Sequence, residues 1–293
     1  MLKTILIITI SVLNLGSVES AYQQYLGYEV VERGDVSAAL GEAWNAPAMA
    51  GHKYLIMQPA SEANVYIRFI EDEAVADYAP LATQGWNATE LLVTDPDALA
   101  ARLADSPFEI VGPPADLWDA PNAPRAMQVI GPGNEVLYLT RNPDFATESA
   151  VDRTFIMVLG GPSMAALSDF YSDRLGLELG DTLQLPVPFM ADAQEVAPDT
   201  LYTLRVAIIS QDFLLELDEY PATVPPRTVT PGHLPPGTAM VSFEVDNLDA
   251  LDVDWRAIPA AIDGFPYNGR RTGVIQGPAG EWLELIETGG AGH

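Results

Sequence analysis

The chain contains itself twice. The stretch Tyr22-Gln23-Gln24-Tyr25-Leu26-Gly27 returns as Tyr171-Ser172-Asp173-Arg174-Leu175-Gly176, 149 residues later at both the tyrosine and the glycine. A second stretch, Gly131-Pro132-Gly133-Asn134-Glu135-Val136-Leu137-Tyr138-Leu139, returns as Gly277-Pro278-Ala279-Gly280-Glu281-Trp282-Leu283-Glu284-Leu285 at an offset of 146 residues. Two separate segments repeating at nearly one period mean a tandem duplication. Any fold assigned to the chain must therefore fit into half of it and be used twice. The 293 residues suit two domains of about 150, here 1–145 and 150–293, each large enough for its own core.

The repeated motifs also specify local structure. Leu167, Phe170, Tyr171 and Leu175 fall at helical spacing, and Gly176 can take the left-handed conformation that ends a helix before a strand starts at Leu177. In the second copy Phe155 to Leu159 reads as the strand before that helix, which Ser163 caps. In the first copy Ile5 to Val12 sits at the equivalent place. This matters because Lys3, the apolar run Thr4 to Leu15, and Val18-Glu19-Ser20 before Ala21 resemble a secretory signal and its cleavage site. The run is too short to span a bilayer, and cleavage would remove a strand that the duplication requires. Residues 1–20 are therefore expected to be structural and the protein cytoplasmic.

Read in order, each copy gives strand, helix and three strands, twice over. Arg141 to Val151 is polar and reads as the inter-domain linker. Pro221 to Pro236 carries six prolines and reads as a stiff crossover within the second domain. A short helix is expected around Leu248 to Trp255. Hydrophobic content of 48% argues against disorder, and the absence of cysteine removes thiolate metal sites and nucleophiles. The net charge of −27 disfavours nucleic acid and anionic membranes as partners.

The Tyr-x-x-x-Leu-Gly helix ending and the Gly-Pro-x-Gly-x-x-Leu-Glu-Leu closing strand resemble the vicinal oxygen chelate superfamily, which holds glyoxalase I, bleomycin-resistance proteins and extradiol dioxygenases. The resemblance implies an α+β fold of tandem domains. Each domain would be two βαβββ units forming a curved, partly open barrel around a cavity. It also implies a small-molecule ligand, and a monomer of two fused domains or a homodimer. Fold alone does not choose among the chemistries it hosts.

In that fold one sheet face packs and the other lines the cavity, so strand parity assigns candidates. Leu214, Glu216 and Asp218 share one face; Met240, Ser242 and Glu244 share another. Trp282, Glu284 and Ile286 face inward on the closing strand, as do Tyr66 and Arg68 in the first copy. Packing of Leu204, Val206 and Ile208 would leave Thr203 and Arg205 for the cavity. Metal-binding relatives place His, Gln or Glu on the first and last strands of each unit. The matching positions here are Ile7, Arg68, Thr89, Tyr138, Ile156, Glu216, Met240 and Glu284, of which only the two glutamates have a ligand's chemistry. His52 and His233 fall in loops and His293 is the last residue. No metal and no other cofactor is therefore expected.

The expected site is the second-copy cavity. Glu284, between Trp282 and Ile286, would act as general acid–base, with Arg205 or Arg271 holding an oxyanion. Met240, Ser242, Glu216, Ile156, Arg68 and Tyr138 would contact the substrate. The reading is a metal-independent lyase or isomerase acting on a small aromatic or carbonyl compound. The alternatives are sequestration of a hydrophobic molecule without turnover, with Glu284 bound up and inert, and a metal-dependent glyoxalase or dioxygenase.

Overall fold

The computed structural model describes residues 2–289. The chain forms four modules of four strands each. Module 1 holds β1 (Leu2–Val12), β2 (Glu29–Asp35), β3 (Lys53–Gln58) and β4 (Tyr66–Glu71). Module 2 holds β5 (Gly85–Val93), β6 (Glu109–Asp116), β7 (Arg125–Ile130) and β8 (Val136–Arg141). Module 3 holds β9 (Val151–Gly161), β10 (Glu178–Pro186), β11 (Leu201–Ile208) and β12 (Leu214–Glu219). Module 4 holds β13 (Gly237–Val245), β14 (Trp255–Ala261), β15 (Arg271–Gln276) and β16 (Trp282–Glu287). The helix expected at Leu248 to Trp255 shrinks to a single 3-10 turn at Leu248–Ala250, and Trp255 opens an edge strand instead.

The modules pair across the halves of the chain. One eight-stranded sheet runs β14-β15-β16-β13-β1-β4-β3-β2, and the other runs β10-β11-β12-β9-β5-β8-β7-β6. Modules 1 and 4 thus share a sheet, as do modules 2 and 3, with antiparallel seams β1–β13 and β5–β9 at the centres. This corrects the expectation that each half closes its own cavity. Residues 142–150 do not pass between cavities but join β8 to β9 within one sheet. The chain crosses between sheets at 72–84 and again at 220–236.

The centre of each sheet explains the apolar runs. β1 lies between β13 and β4, and Ile5, Ile7, Ile8, Ile10 and Val12 are all inaccessible to solvent. The run that mimics a secretory signal is a central strand covered on both faces. Among the described residues no helix is long and apolar enough to cross a membrane. One core, drawn from all four modules, lies between the sheets, and smaller apolar clusters lie on their outer, concave faces.

The repeated motifs turn out to be two ends of one lock. Helix α1 (Leu15–Ala21) is capped by Asn14, whose Oδ1 accepts from the Ser17 amide at 2.9 Å; it widens into a π-helical turn over Tyr22–Leu26. Gly27 ends it at φ 72°, as Gly176 does its counterpart at φ 71°. The buried Tyr171 hydroxyl donates to Glu281 at 3.0 Å, and the second Glu281 oxygen accepts from the Ala279 amide at 2.8 Å. In the first copy Glu135 accepts from the Gly133 amide at 2.8 Å beside the buried Tyr22. A Cβ on Gly131 or Gly277 would fall 1.9 Å from the carboxylate, which is why the turn needs glycine. Each lock ties the helix of an odd module to the closing hairpin of the next and holds the two sheets back to back.

Arg227, on the proline-rich crossover, pins the two crossings together. Its guanidinium donates to the carbonyls of Trp86 (2.8 Å), Thr238 (2.9 Å) and Pro236 (3.2 Å), to Thr83 Oγ1 (3.1 Å) and to Asn87 Oδ1 (3.3 Å). It also stacks 5.1 Å from the ring of Tyr78. Arg227→Met would strip a donor from several partly buried acceptors at once. We expect a loss of about 2–4 kcal/mol in urea unfolding; a loss below the ordinary surface range would show that the crossings hold without it.

Candidate functional site in the sheet of modules 2 and 3

The two concave faces differ in what fills them. Over the sheet of modules 1 and 4, Trp44 follows helix α2 (Ala38–Ala43) and Tyr267 descends from the segment joining β14 to β15; both are fully buried. Trp44 Nε1 and the Tyr267 hydroxyl each donate to Glu284 Oε1 at 2.9 Å, and Ser242 Oγ donates to Oε2. Arg68 lies beneath the same two rings, 5.1 Å from Trp44 and 5.4 Å from Tyr267, and is 1% exposed. Met240, Trp282 and Ile286 pack into the same plug. Glu284 therefore has the burial expected of it, but both of its oxygens already accept hydrogen bonds from the side chains packed around it. The general acid–base role read for it gives way to a structural one.

The sheet of modules 2 and 3 instead surrounds an open cavity of about 670 Å³. Helix α3 (Pro96–Leu103) and helix α4 (Met164–Ser168) lie on its other side. Helix α5 (Pro188–Ala193) brings Phe189 and Met190 over the cavity. Here the segment joining β6 to β7 does not dive inward as its module-4 counterpart does. Leu117 and Trp118 stand at the mouth, 53% and 56% exposed, opposite Leu183 at 61%.

Three carboxyl groups line the inner part of the cavity, Glu90 on β5 and Glu216 and Asp218 on β12, while the exposed Asp116 and Asp181 border it as well. Burial, reinforced by the neighbouring Glu216 charge, pushes Glu90 up to about 8. Burial alone lifts Glu216 to about 7. Asp218 is raised well above the usual carboxylate range by burial and by Glu216, and neither of its oxygens meets a hydrogen-bond donor from the protein. The Tyr138 hydroxyl, also raised by burial and by these carboxylates, stays protonated; its nearest partner is the weakly accepting Met190 sulfur at 3.9 Å. An apolar surface with protonatable groups is thereby formed, and the guanidinium of Arg205 at its wall is engaged by Gly180 and Ser168.

Several sequence expectations meet here and others do not. Glu216, Ile156 and Tyr138 do line this cavity. Glu90 stands in register with both Tyr138 and Ile156, whereas Thr89 pairs with Leu137 and Met157 of the inter-sheet core. The position assigned to Thr89 thus belongs to Glu90, one residue on. Arg205 also borders the cavity, but the oxyanion-holding role read for it is a correction. It pairs with Leu217 of the inter-sheet core, and its guanidinium donates to the Gly180 carbonyl at 2.8 Å and to Ser168 Oγ at 3.1 Å. Leu204 and Val206, in register with Asp218 and Glu216, take the cavity face. Parity was inverted on this strand because the cavity wall is itself apolar, so hydropathy could not tell it from the core. Arg271 is a second correction: it bonds Asp249 at 2.7 and 2.9 Å on the surface. Asp218 was legible in the sequence through its shared parity with Glu216, but its role was missed.

The four-module arrangement, two curved sheets each built from βαβββ units, is the vicinal oxygen chelate fold in tandem form. Over the full chain it is similar to glyoxalase I from Zea mays, with a TM-score of 0.66, 15% identity, and coverage of 97% of this chain and 92% of that one. It is also similar to a protein of Bacillus subtilis subsp. subtilis str. 168 provisionally named as a dioxygenase (TM-score 0.59, 11% identity, 99% and 86% covered). At such identities the likeness establishes the fold and leaves the reaction open. Searches with the sequence matched no family model and no curated protein.

The resemblance read from the sequence implies ligand positions on the first and last strands of each module, so the donors there bear on whether a cation fits. In the open cavity the corresponding positions are Glu90, Tyr138, Ile156 and Glu216; in the plugged one they are Ile7, Arg68, Ser242 or Met240, and Glu284. Among the described residues no three carboxylates or imidazoles on either concave face bring ligand atoms within 4.8 Å of one another. An isoleucine and a tyrosine between two glutamates do not make the oxygen cage a hard cation needs, nor the imidazole set a transition metal prefers. The residues present at these positions do not fit a divalent cation.

Proposed function

We propose that the cavity of modules 2 and 3 binds a small, uncharged, largely apolar carbonyl or aromatic compound and moves a proton on it without a metal, as an isomerase or lyase. Its volume falls within the range of about 300–1,000 Å³ usual for small-molecule sites. Its three inner carboxyl groups disfavour an anionic ligand, and the guanidinium of Arg205 at its wall is taken up by Gly180 and Ser168. Glu216, poised near neutrality, suits a general base that takes a proton from a carbon next to a carbonyl. The developing oxyanion would need a donor. A carboxylic acid kept neutral by an apolar site, together with a tyrosine hydroxyl, serves that purpose in enolising enzymes. Asp218, Glu90 and Tyr138 are groups of that kind. The observation that carries the reading is the buried carboxyl cluster facing open apolar space.

The test is proton–deuterium exchange at the α-carbon of a surrogate aryl ketone in D2O, followed by NMR. Glu216→Gln should slow exchange by roughly 10²–10⁴-fold while leaving ketone binding within a few-fold. The rate should peak between about pH 7 and pH 8, with Glu216 ionised and Glu90 still protonated. Tight binding with no exchange by the unaltered protein would favour sequestration, which the exposed apolar mouth formed by Leu117, Trp118 and Leu183 also suits. Exchange unaffected by Glu216→Gln would remove the proposal.

A further inference from the structure

Away from both concave faces, the fold brings together two of the three histidines in the sequence. His52 lies one residue before β3 and Asp72 one residue after β4, so they flank the same end of that ladder. His233 arrives from the proline-rich crossover, more than 160 residues away in the chain. The ligand atoms of His52, Asp72 and His233 all lie within 4.8 Å of one another. His233 Nδ1 is 3.0 Å from Asp72 Oδ2, and the two imidazoles meet edge to face with centroids 5.9 Å apart.

We propose that His52, Asp72 and His233 bind a divalent transition-metal ion, Zn2+ being the ion of choice for testing, which fastens the second crossover to module 1. The donor set is two imidazoles and one carboxylate, the borderline and hard ligands such ions take, and it leaves one position for water. The surroundings are those of a prepared site. His52 Nδ1 is 2.7 Å from the Glu71 carbonyl, to which it donates, so its Nε2 keeps a free lone pair in a fixed direction. Asp72 is 2% exposed; its other oxygen accepts from the Ala74 amide at 2.9 Å, and its own amide donates to the Val12 carbonyl at 2.8 Å. The His233 amide donates to the Thr230 carbonyl at 3.0 Å, and the preceding Gly232 carbonyl accepts from Ala48 at 2.9 Å. All three ligands are thus held by backbone contacts that do not involve the ion. Zinc would require each ligand atom to stand about 2.0–2.1 Å from a common centre.

The experiment is calorimetric titration of the chelator-stripped full chain with Zn2+ at physiological salt, where diffuse attraction to the acidic surface is screened. One ion per chain, at micromolar affinity or tighter, and a raised melting temperature are expected. His52→Gln and His233→Gln should each weaken binding by at least about tenfold and abolish the thermal shift. Glu216→Gln should leave both unchanged. No stoichiometric binding would overturn the proposal, as would binding that survives both histidine substitutions. Loss of binding in Glu216→Gln would place the ion in the cavity instead and also overturn it. Should a histidine variant fail to fold, the unaltered protein still decides the matter. Zn2+ must protect His52 and His233 from diethyl pyrocarbonate, located by peptide mass, and equal modification with and without Zn2+ counts against the site.

Discussion

Deleting residues 1–20 is expected to leave a chain with no cooperative unfolding transition. β1 is the strand through which module 4 joins module 1, so its removal exposes the facing edges of β13 and β4 together. Five of its aliphatic side chains are fully buried. At about 1.5–3 kcal/mol each they represent on the order of 10 kcal/mol, comparable with the whole net stability of a domain. A milder version is Ile8→Ala, for which a loss of about 2–5 kcal/mol is expected in a core that cannot fully collapse. Circular dichroism and thermal melting decide both. A truncated chain that melts cooperatively at the original temperature would mean that the first twenty residues are dispensable, as a cleaved leader would be.

Raising the pH from about 5 to 8 is expected to destabilise the protein, and Glu90→Gln to remove a large share of that loss. Glu90 is held at about 8 and Glu135, Glu216 and Glu281 at about 7, each mainly by burial, against an ordinary value of 4.5. A raised value means that the folded chain keeps a proton which the unfolded chain releases. Stability is therefore full below pH 4.5 and declines through 7 and on to 8, where Glu90 finally ionises. The depressed values at Glu19, Asp97 and Asp249 belong to surface ion pairs and act only at the acid end. Glutamine keeps the shape of Glu90 without the ionisation. Its advantage should be close to nil at pH 5 and on the order of 3 kcal/mol at pH 8. Denaturant unfolding at the two pH values tests this; an equal effect at both would show that Glu90 is not held protonated.

The sequence alone determined the modules. The recurrence of Tyr-x-x-x-Leu-Gly and Gly-Pro-x-Gly is a local signal, because a helix end and a glycine turn are properties of a few consecutive residues. Period-two alternation likewise assigned the faces of β4, β12, β13 and β16 correctly, since on those strands one face is uniformly apolar and the other carries charge. It failed on β11, where the apolar face of Leu204 and Val206 lines the cavity and the face bearing Thr203 and Arg205 is the other one, so that only register with Glu216 and Asp218 tells them apart. What the tertiary structure alone decided is how the modules combine and which concave face stays open. β5 and β13 have similar patterns and could serve either neighbour, so nothing local directs module 4 to module 1 and module 3 to module 2. Glu284 and Glu216 occupy corresponding positions on the last strands of their modules. One is sealed because Trp44 and Tyr267 reach it from distant segments; the other faces a cavity because Leu117 and Trp118 stay at the rim. That difference is made by side chains far apart in the chain, and periodicity carries no record of it. The same holds for His52, Asp72 and His233, which are loop residues in sequence and neighbours only after the second crossover has closed.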